Sequence, residues 1–318
     1  MEEKPKIHIP VLLSESLSYL KIRPSAVIVD ATLGLGGHSQ AILEQNPTVK
    51  VIAIDQDEEN LIFAKNRLKP FGKRVLFFHS NFEKIKEVVK SAFSLWGMGA
   101  PDHRHSGAGK SGVDGILLDL GLSSPHVDNP ARGFSFLREG PLDMRYDKSK
   151  GRTAEKIVNH ASAQELQGIF SRYGEETEAK TVAEAIVKAR QHKLISTTIE
   201  LAEIIDNAKR FKKPGRSAAT NVFQALRIEV NREFQVLEKV LEDALHLLAP
   251  GGRIVVISYH SLEDRIVKLA FKKYEAKGKK DKELQLIKLI TKTPLVPTDE
   301  EIERNSRSRS AKMRVAEA

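Results

Sequence analysis

A chain of 318 residues with 41% apolar and 29% charged content can bury one large core and a smaller one, and its composition is neither disordered nor fibrous. It has no cysteine, which excludes disulfides, thiolate metal clusters and cysteine nucleophiles. A net charge of +9 favours a polyanionic partner, no apolar run approaches the ~20 residues of a membrane span, and Met1–Pro10 lacks the apolar core of a signal peptide, so a cytoplasmic protein off the membrane is expected.

Ala26–Thr32 (AVIVDAT) is a short apolar run ending in a glycine-rich turn. Lys50–Asp55, Val75–His79, Gly115–Asp119 and, much later, Arg253–Ser258 are runs of the same kind. Continuous apolar runs of this length suit parallel strands covered on both faces. Between them, Asp57–Leu68 carries Leu61, Ala64 and Leu68 at helical spacing, and Asn81–Phe93 carries Phe82, Ile85 and Val89. Strand alternating with helix predicts an α/β doubly wound sheet that binds ligands at the carboxyl ends of its strands. Trp96–Gly112, rich in Gly, Ser and His, reads as a loop. His103 and His105 within it have no partner acids at ligand spacing, so no metal site is expected.

The alternation stops at about Leu137. Ser162 with Glu165, and Thr197 with Glu200, form capping boxes ahead of apolar helical patterns, and Glu178–His192 is a third helix. Residues 138–217 therefore read as a helical insert that divides a sheet domain into 1–137 and 218–318. Thr220–Leu248 is longer than an ordinary helix, and a break within it is expected. Leu284–Thr291 and Ala311–Ala316 suit an antiparallel edge pair.

Basic residues gather in three places: Lys209, Arg210, Lys212, Lys213 and Arg216; Lys272, Lys273, Lys277, Lys279, Lys280 and Lys282; and Arg307, Arg309 and Lys312. Any one of these is as readily a solvated face, while three together favour contacts with nucleic-acid phosphates.

The chemistry-bearing motif is Asp30–His38 (DATLGLGGH), which follows the first strand and opens a helix. Gly34, Gly36 and Gly37 let the backbone turn tightly and approach a ligand. Asp55 ends the second strand about 20 residues on, where an acid accepts hydrogen bonds from ribose hydroxyls; capping the next helix is the alternative. A dinucleotide fingerprint would place a third glycine elsewhere, and Asp30 suits a cationic ammonium or sulfonium better than a pyrophosphate. The D-x-T-x-G-x-G-G pattern resembles motif I of class I methyltransferases, which use S-adenosylmethionine.

Asp119–His126 (DLGLSSPH) stands where amino-group methyltransferases carry an Asp/Asn/Ser-Pro-Pro-aromatic motif; Ser-Ser-Pro matches part of it, and an ordinary polar turn is the other reading. Phe82 suits core packing beside Ile85 and Val89 as well as contact with an adenine. Ser261 and Asp264 read as a capping box, and His260, at a strand's carboxyl end, as a candidate for substrate contact.

His8–Leu13 (HIPVLL), Gly36-Gly37-His38, Asp119–Pro125, Arg132–Phe136 (RGFSF), Gly140–Arg145 (GPLDMR), Phe223–Ile228 (FQALRI) and Ser258–Arg265 (SYHSLEDR) together resemble the bacterial ribosomal RNA small-subunit methyltransferase H (MraW-type) family. The resemblance runs nearly end to end and leaves out Trp96–Gly112 and Lys277–Asn305. It implies a Rossmann-like, mostly parallel seven-stranded sheet with an inserted all-helical subdomain. It also implies methyl transfer from S-adenosylmethionine to the exocyclic N4 of one cytidine in small-subunit ribosomal RNA, without a metal. Cofactor contacts would fall on Gly34, Gly36, Gly37, His38, Asp55, Phe82 and Asp119, and on His126, where the family usually has glutamine. Asp119, Ser124 and His260 are the candidate catalytic residues. The partner is then ribosomal RNA or the small ribosomal subunit, with monomer and homodimer both open. An RNA-binding assembly protein with a vestigial pocket and a nicotinamide-dependent oxidoreductase are the competing readings.

Overall fold

The computed structural model describes residues 9–99, 112–211, 217–275 and 286–318. His8, the loop histidines His103 and His105, and the basic residues Lys212, Lys213, Arg216, Lys277, Lys279, Lys280 and Lys282 lie outside them. In chain order the elements begin α1 (Leu13–Leu20), β1 (Val27–Asp30), α2 (Gly37–Gln45), β2 (Lys50–Asp55), α3 (Glu58–Leu68), β3 (Val75–His79), α4 (Ile85–Leu95) and β4 (Val113–Asp119). Helices α5 (Ser124–Asp128), α6 (Ala154–His160), α7 (Ala163–Gly174), α8 (Ala179–Arg190), α9 (Thr198–Ala208) and α10 (Thr220–Asn231) follow. The chain ends with α11 (Glu233–Leu247), β5 (Leu248–Ser258), α12 (Ser261–Tyr274), β6 (Lys288–Leu289), α13 (Asp299–Arg304) and β7 (Lys312–Glu317).

The residues fall into two compact units, one within 1–121 and 234–318 and the other within 122–233. In the first unit the described residues form a seven-stranded sheet of order β3-β2-β1-β4-β5-β7-β6. Strands β1 to β5 run parallel, and β7 lies antiparallel between β5 and β6. The strands are apolar throughout because both faces are covered. Val29, Ile54, Leu118 and Val256 face a core completed by α4, α11 and α12, while Ile28, Val51, Leu117 and Val255 face one completed by α2 and α3. This is the class I methyltransferase architecture, with its switch in strand order between β1 and β4. The expected edge pair is present, with Leu289 opposite Ala316.

Among its described residues the second unit is helical apart from one isolated bridge, Pro141 to Thr197, and it is larger than the 138–217 segment expected from the sequence. It takes in α5 because the turns after it are tied to the helices, and α10 because α10 packs on α7. That packing is close: a Cβ at Gly174 would meet Asn221 O at 2.5 Å. Both capping boxes form, Ser162 with Glu165 and Thr197 with Glu200. The expected break in the long helix falls at Arg232, whose φ of 52° ends α10 in the left-handed region.

Two basic side chains are withdrawn from solvent. Lys209, grouped with the first basic cluster, has a side chain only 9% exposed and donates to Glu176 at 2.7 Å and to Ala218 O at 3.2 Å. Arg132, which opens the Arg132–Phe136 motif, is 1% exposed and donates to the carbonyls of Arg145 and Tyr146. Both are fold-building cations.

Candidate functional site

Because β2, β1, β4 and β5 are parallel neighbours, their carboxyl ends share one sheet edge. Asp30, Asp55 and Asp119 close β1, β2 and β4, and Tyr259 and His260 follow β5. After β1 the chain passes through Gly34 (φ 51°) and Gly36 (φ 78°), backbone conformations that strain an L side chain, and starts α2 at Gly37. A Cβ at Gly34 would meet only Thr32 O, at 3.9 Å, so the outer face of the turn is open. Gly37 is small for another reason: a Cβ there would fall 2.5 Å from Pro10 Cγ.

Asp55 is not the cap of α3. That role belongs to Asp57, which accepts from the amides of Glu59 and Asn60. Asp55 instead accepts the Gly34 amide at 2.8 Å and Asn60 Nδ2 at 3.3 Å on Oδ2, and the Asp57 amide at 2.8 Å on Oδ1. These occupy three of a carboxylate's roughly four lone-pair positions and leave acceptor capacity for a ligand hydroxyl. Burial pushes its pKa up to about 7 against those hydrogen bonds.

Asp30 is buried, accepts the Ser39 hydroxyl at 2.6 Å, and has its pKa raised by that burial. His38, 6% exposed, places Nε2 3.1 Å from Val11 O. A carbonyl only accepts, so Nε2 carries the hydrogen, and burial lowers the pKa of the ring toward the neutral form. Its other nitrogen, Nδ1, lies 3.7 Å from Asp119 Oδ2. The Asp119 amide donates to Thr32 Oγ1 at 2.6 Å, which joins β4 to the glycine turn. Tyr259 donates its hydroxyl to Asp119 Oδ1 at 2.7 Å, and burial raises the Asp119 pKa to about 7.

His260 caps α12: its Nδ1 accepts the Glu263 amide, and Nε2 sits 3.0 Å from Glu263 Oε1 without the alignment of a hydrogen bond. The expected Ser261–Asp264 box is thereby corrected by one residue, and Asp264 forms a two-point ion pair with Arg314. Phe82 lies in a short turn capped by Asn81, half-buried against the sheet core, and the turn is tied to β2 through Ser80 N to Asp55 O at 3.0 Å.

The structure thus gathers Gly34, Gly36, Gly37, His38, Asp55, Asp119 and His260 at one edge, with Phe82 beyond β3. Ser124 and His126 belong to the second unit. There Ser124 opens α5, and His126, 3% exposed, forms a capping box with Ser123 and packs against Phe134 and Tyr146. Sequence reasoning missed Tyr259, Thr32 and Ser39. The signals were the place of Thr32 in the D-x-T-x-G-x-G-G pattern and of Tyr259 directly after β5.

The sequence pattern of the MraW methylase family matches residues 6–318. A ribosomal RNA small subunit methyltransferase H from Carboxydothermus hydrogenoformans is 46% identical, with 98% of this chain and 97% of that protein covered. Proteins of the same name from Caldicellulosiruptor saccharolyticus and Halothermothrix orenii are 45% and 43% identical, each with 98% of both chains covered.

Proposed function

The chain belongs to the MraW methylase family, and on that premise we propose that it transfers a methyl group from S-adenosylmethionine to the exocyclic N4 amine of one cytidine in small-subunit ribosomal RNA. The observation that carries the reading is the family match over residues 6–318, since it spans both units. The edge chemistry supports it. Asp55 has acceptor capacity where a ribose would bind, and the buried carboxyl of Asp30, its pKa raised by that burial, stands at the open glycine turn, where a cationic ligand would favour its charged form.

When bound, S-adenosylmethionine supplies a methyl already made electrophilic by its cationic sulfur. The protein's work is then alignment. Gly34 to Gly37 and Asp55 fix the nucleoside, so that the amine nitrogen meets the methyl in line. Asp119 accepts an amine hydrogen and draws the nitrogen lone pair out of conjugation with the ring. Having no cysteine, the chain cannot form the thiolate adduct that methylation at cytosine C5 requires. The target base leaves its stack to reach such a site.

The described basic residues Arg210, Arg307 and Arg309 are exposed and suit phosphate contacts, whose affinity falls steeply with salt. Among the described residues no helix is long and apolar enough to cross a membrane, in keeping with action on ribosomal subunits in the cytoplasm. Mass spectrometry of ribosomal RNA from cells lacking this chain tests the proposal. Loss of one N4-methylcytidine, restored on re-expression, is expected, and an unchanged modification profile overturns it.

A further inference from the structure

The two oxygens of Asp119 are held differently. Oδ1 accepts the Tyr259 hydroxyl at 2.7 Å, while Oδ2 faces His38 Nδ1 across 3.7 Å. His38 has committed its hydrogen to Val11 O through Nε2, so in the neutral ring Nδ1 presents a lone pair. Two acceptors therefore look at each other across a gap too wide for a direct hydrogen bond. Such a pair is completed by one proton, brought by an N–H group.

Tyr259 is held firmly for its part. Its amide donates to Glu263 Oε2 at 2.8 Å, and its ring lies against Gly121, where a Cβ would meet Cδ2 at 3.3 Å. The phenol itself stays protonated, because burial and the charges of Asp119 and Glu263 push its pKa well above 10.

We propose that Tyr259 is a positioning residue for methyl transfer: by engaging Asp119 Oδ1 it turns Oδ2 toward His38 Nδ1 and makes that pair the acceptor of the proton released by the substrate amine. The inference rests on the methyl-transfer reading. In the step, the amine lone pair forms the N–C bond and the C–S bond breaks with its electrons passing to sulfur. One N–H bond then leaves its pair on nitrogen while its proton passes to Asp119 Oδ2, which the Nδ1 lone pair faces. The charged and titratable groups facing the pair are Asp30 beside His38, Tyr259 and Glu263 beside Asp119, and Glu301 near Tyr259.

The test combines Tyr259→Phe with three readouts. Calorimetry with S-adenosylhomocysteine is expected to give a dissociation constant within about threefold of wild type, because the ribose grip lies elsewhere. The single-turnover rate at pH 7 is expected to fall about fivefold and to recover at higher pH, with its acid limb displaced upward by about one unit, since the lost hydrogen bond favoured the carboxylate. Nitrogen-15 spectra of His38 in the ligand-free wild-type protein at pH 8 are expected to report hydrogen on Nε2 and none on Nδ1. A large loss of S-adenosylhomocysteine affinity with an unmoved pH profile overturns the proposal, because the pair then holds the cofactor's amino group. An unchanged rate or the opposite tautomer also overturns it. Failure of the underlying reading looks different: wild-type protein that binds S-adenosylhomocysteine yet methylates no RNA at any pH.

Discussion

The amide of Gly34 donates to Asp55 Oδ2 at 2.8 Å, so the glycine turn after β1 and the carboxylate that ends β2 are one hydrogen-bonded unit. Removing the carboxylate releases the turn and deletes the ribose acceptor together. Asp55→Ala is therefore expected to weaken S-adenosylhomocysteine binding about a hundredfold, the worth of one or two hydrogen bonds to a charged group. Calorimetry measures it directly, and a dissociation constant within about threefold of wild type would remove Asp55 from the site.

Asp119 trades stability for chemistry. Its folded pKa is raised from 3.8 to about 7 by burial. A raised folded value means that the stabilisation is fully present below the unfolded pKa and drains away as pH rises to the folded one. In Asp119→Asn the amide can still accept from Tyr259 and can turn N–H toward His38 Nδ1, with no buried charge at any pH. The variant is expected to melt at the wild-type temperature near pH 4 and several degrees higher at pH 8, with the gap opening between about 4 and 7. Its turnover is expected to be lost while RNA retention persists. Thermal melts across that range check the sign, and a gap that does not grow with pH contradicts the account.

Where signals are local, the sequence carries them. Four of the parallel strands, both capping boxes of the helical unit and the break near Arg232 follow from periodicity and capping chemistry within a few residues. Contacts between distant residues leave no such trace. Tyr259 reaches Asp119 across 140 positions, and Lys209 reaches Glu176 across 33, so the first was missed and the second was read as surface. The cap of α12 was displaced by one residue because serine is the usual N-cap, whereas here the imidazole of His260 takes the role.

The motifs Arg132–Phe136 and Gly140–Arg145 meet through close backbone contact. A Cβ at Gly133 (φ 72°) would fall 2.1 Å from Pro141 O, and one at Gly140 would fall 1.9 Å from Pro130 O. Each glycine admits the other segment's backbone, and Arg132 then ties the pair to residues 145 and 146. Gly133→Ala or Gly140→Ala is expected to destabilise the helical unit by about 3 kcal/mol or more through displaced backbone. Urea unfolding followed by circular dichroism reports it, and a loss below about 1 kcal/mol would show that the two loops can separate freely.

Glu176 and Lys209 form an ion pair with side chains 1% and 9% exposed. Water cannot replace either partner at that burial, so the pair matters chiefly through what is left when one member is removed. Lys209→Met leaves the Glu176 carboxylate buried without its cation and takes a donor from Ala218 O, and is expected to cost about 3 kcal/mol. Adding Glu176→Leu removes the stranded charge, so the double variant is expected to regain much of that loss, with a coupling well above the roughly 0.5 kcal/mol of independent sites. A double-mutant cycle by urea unfolding measures it. Additive losses would mean that Glu176 finds water once Lys209 is gone, and would return the lysine to the solvated basic surface from which its sequence neighbours cannot distinguish it.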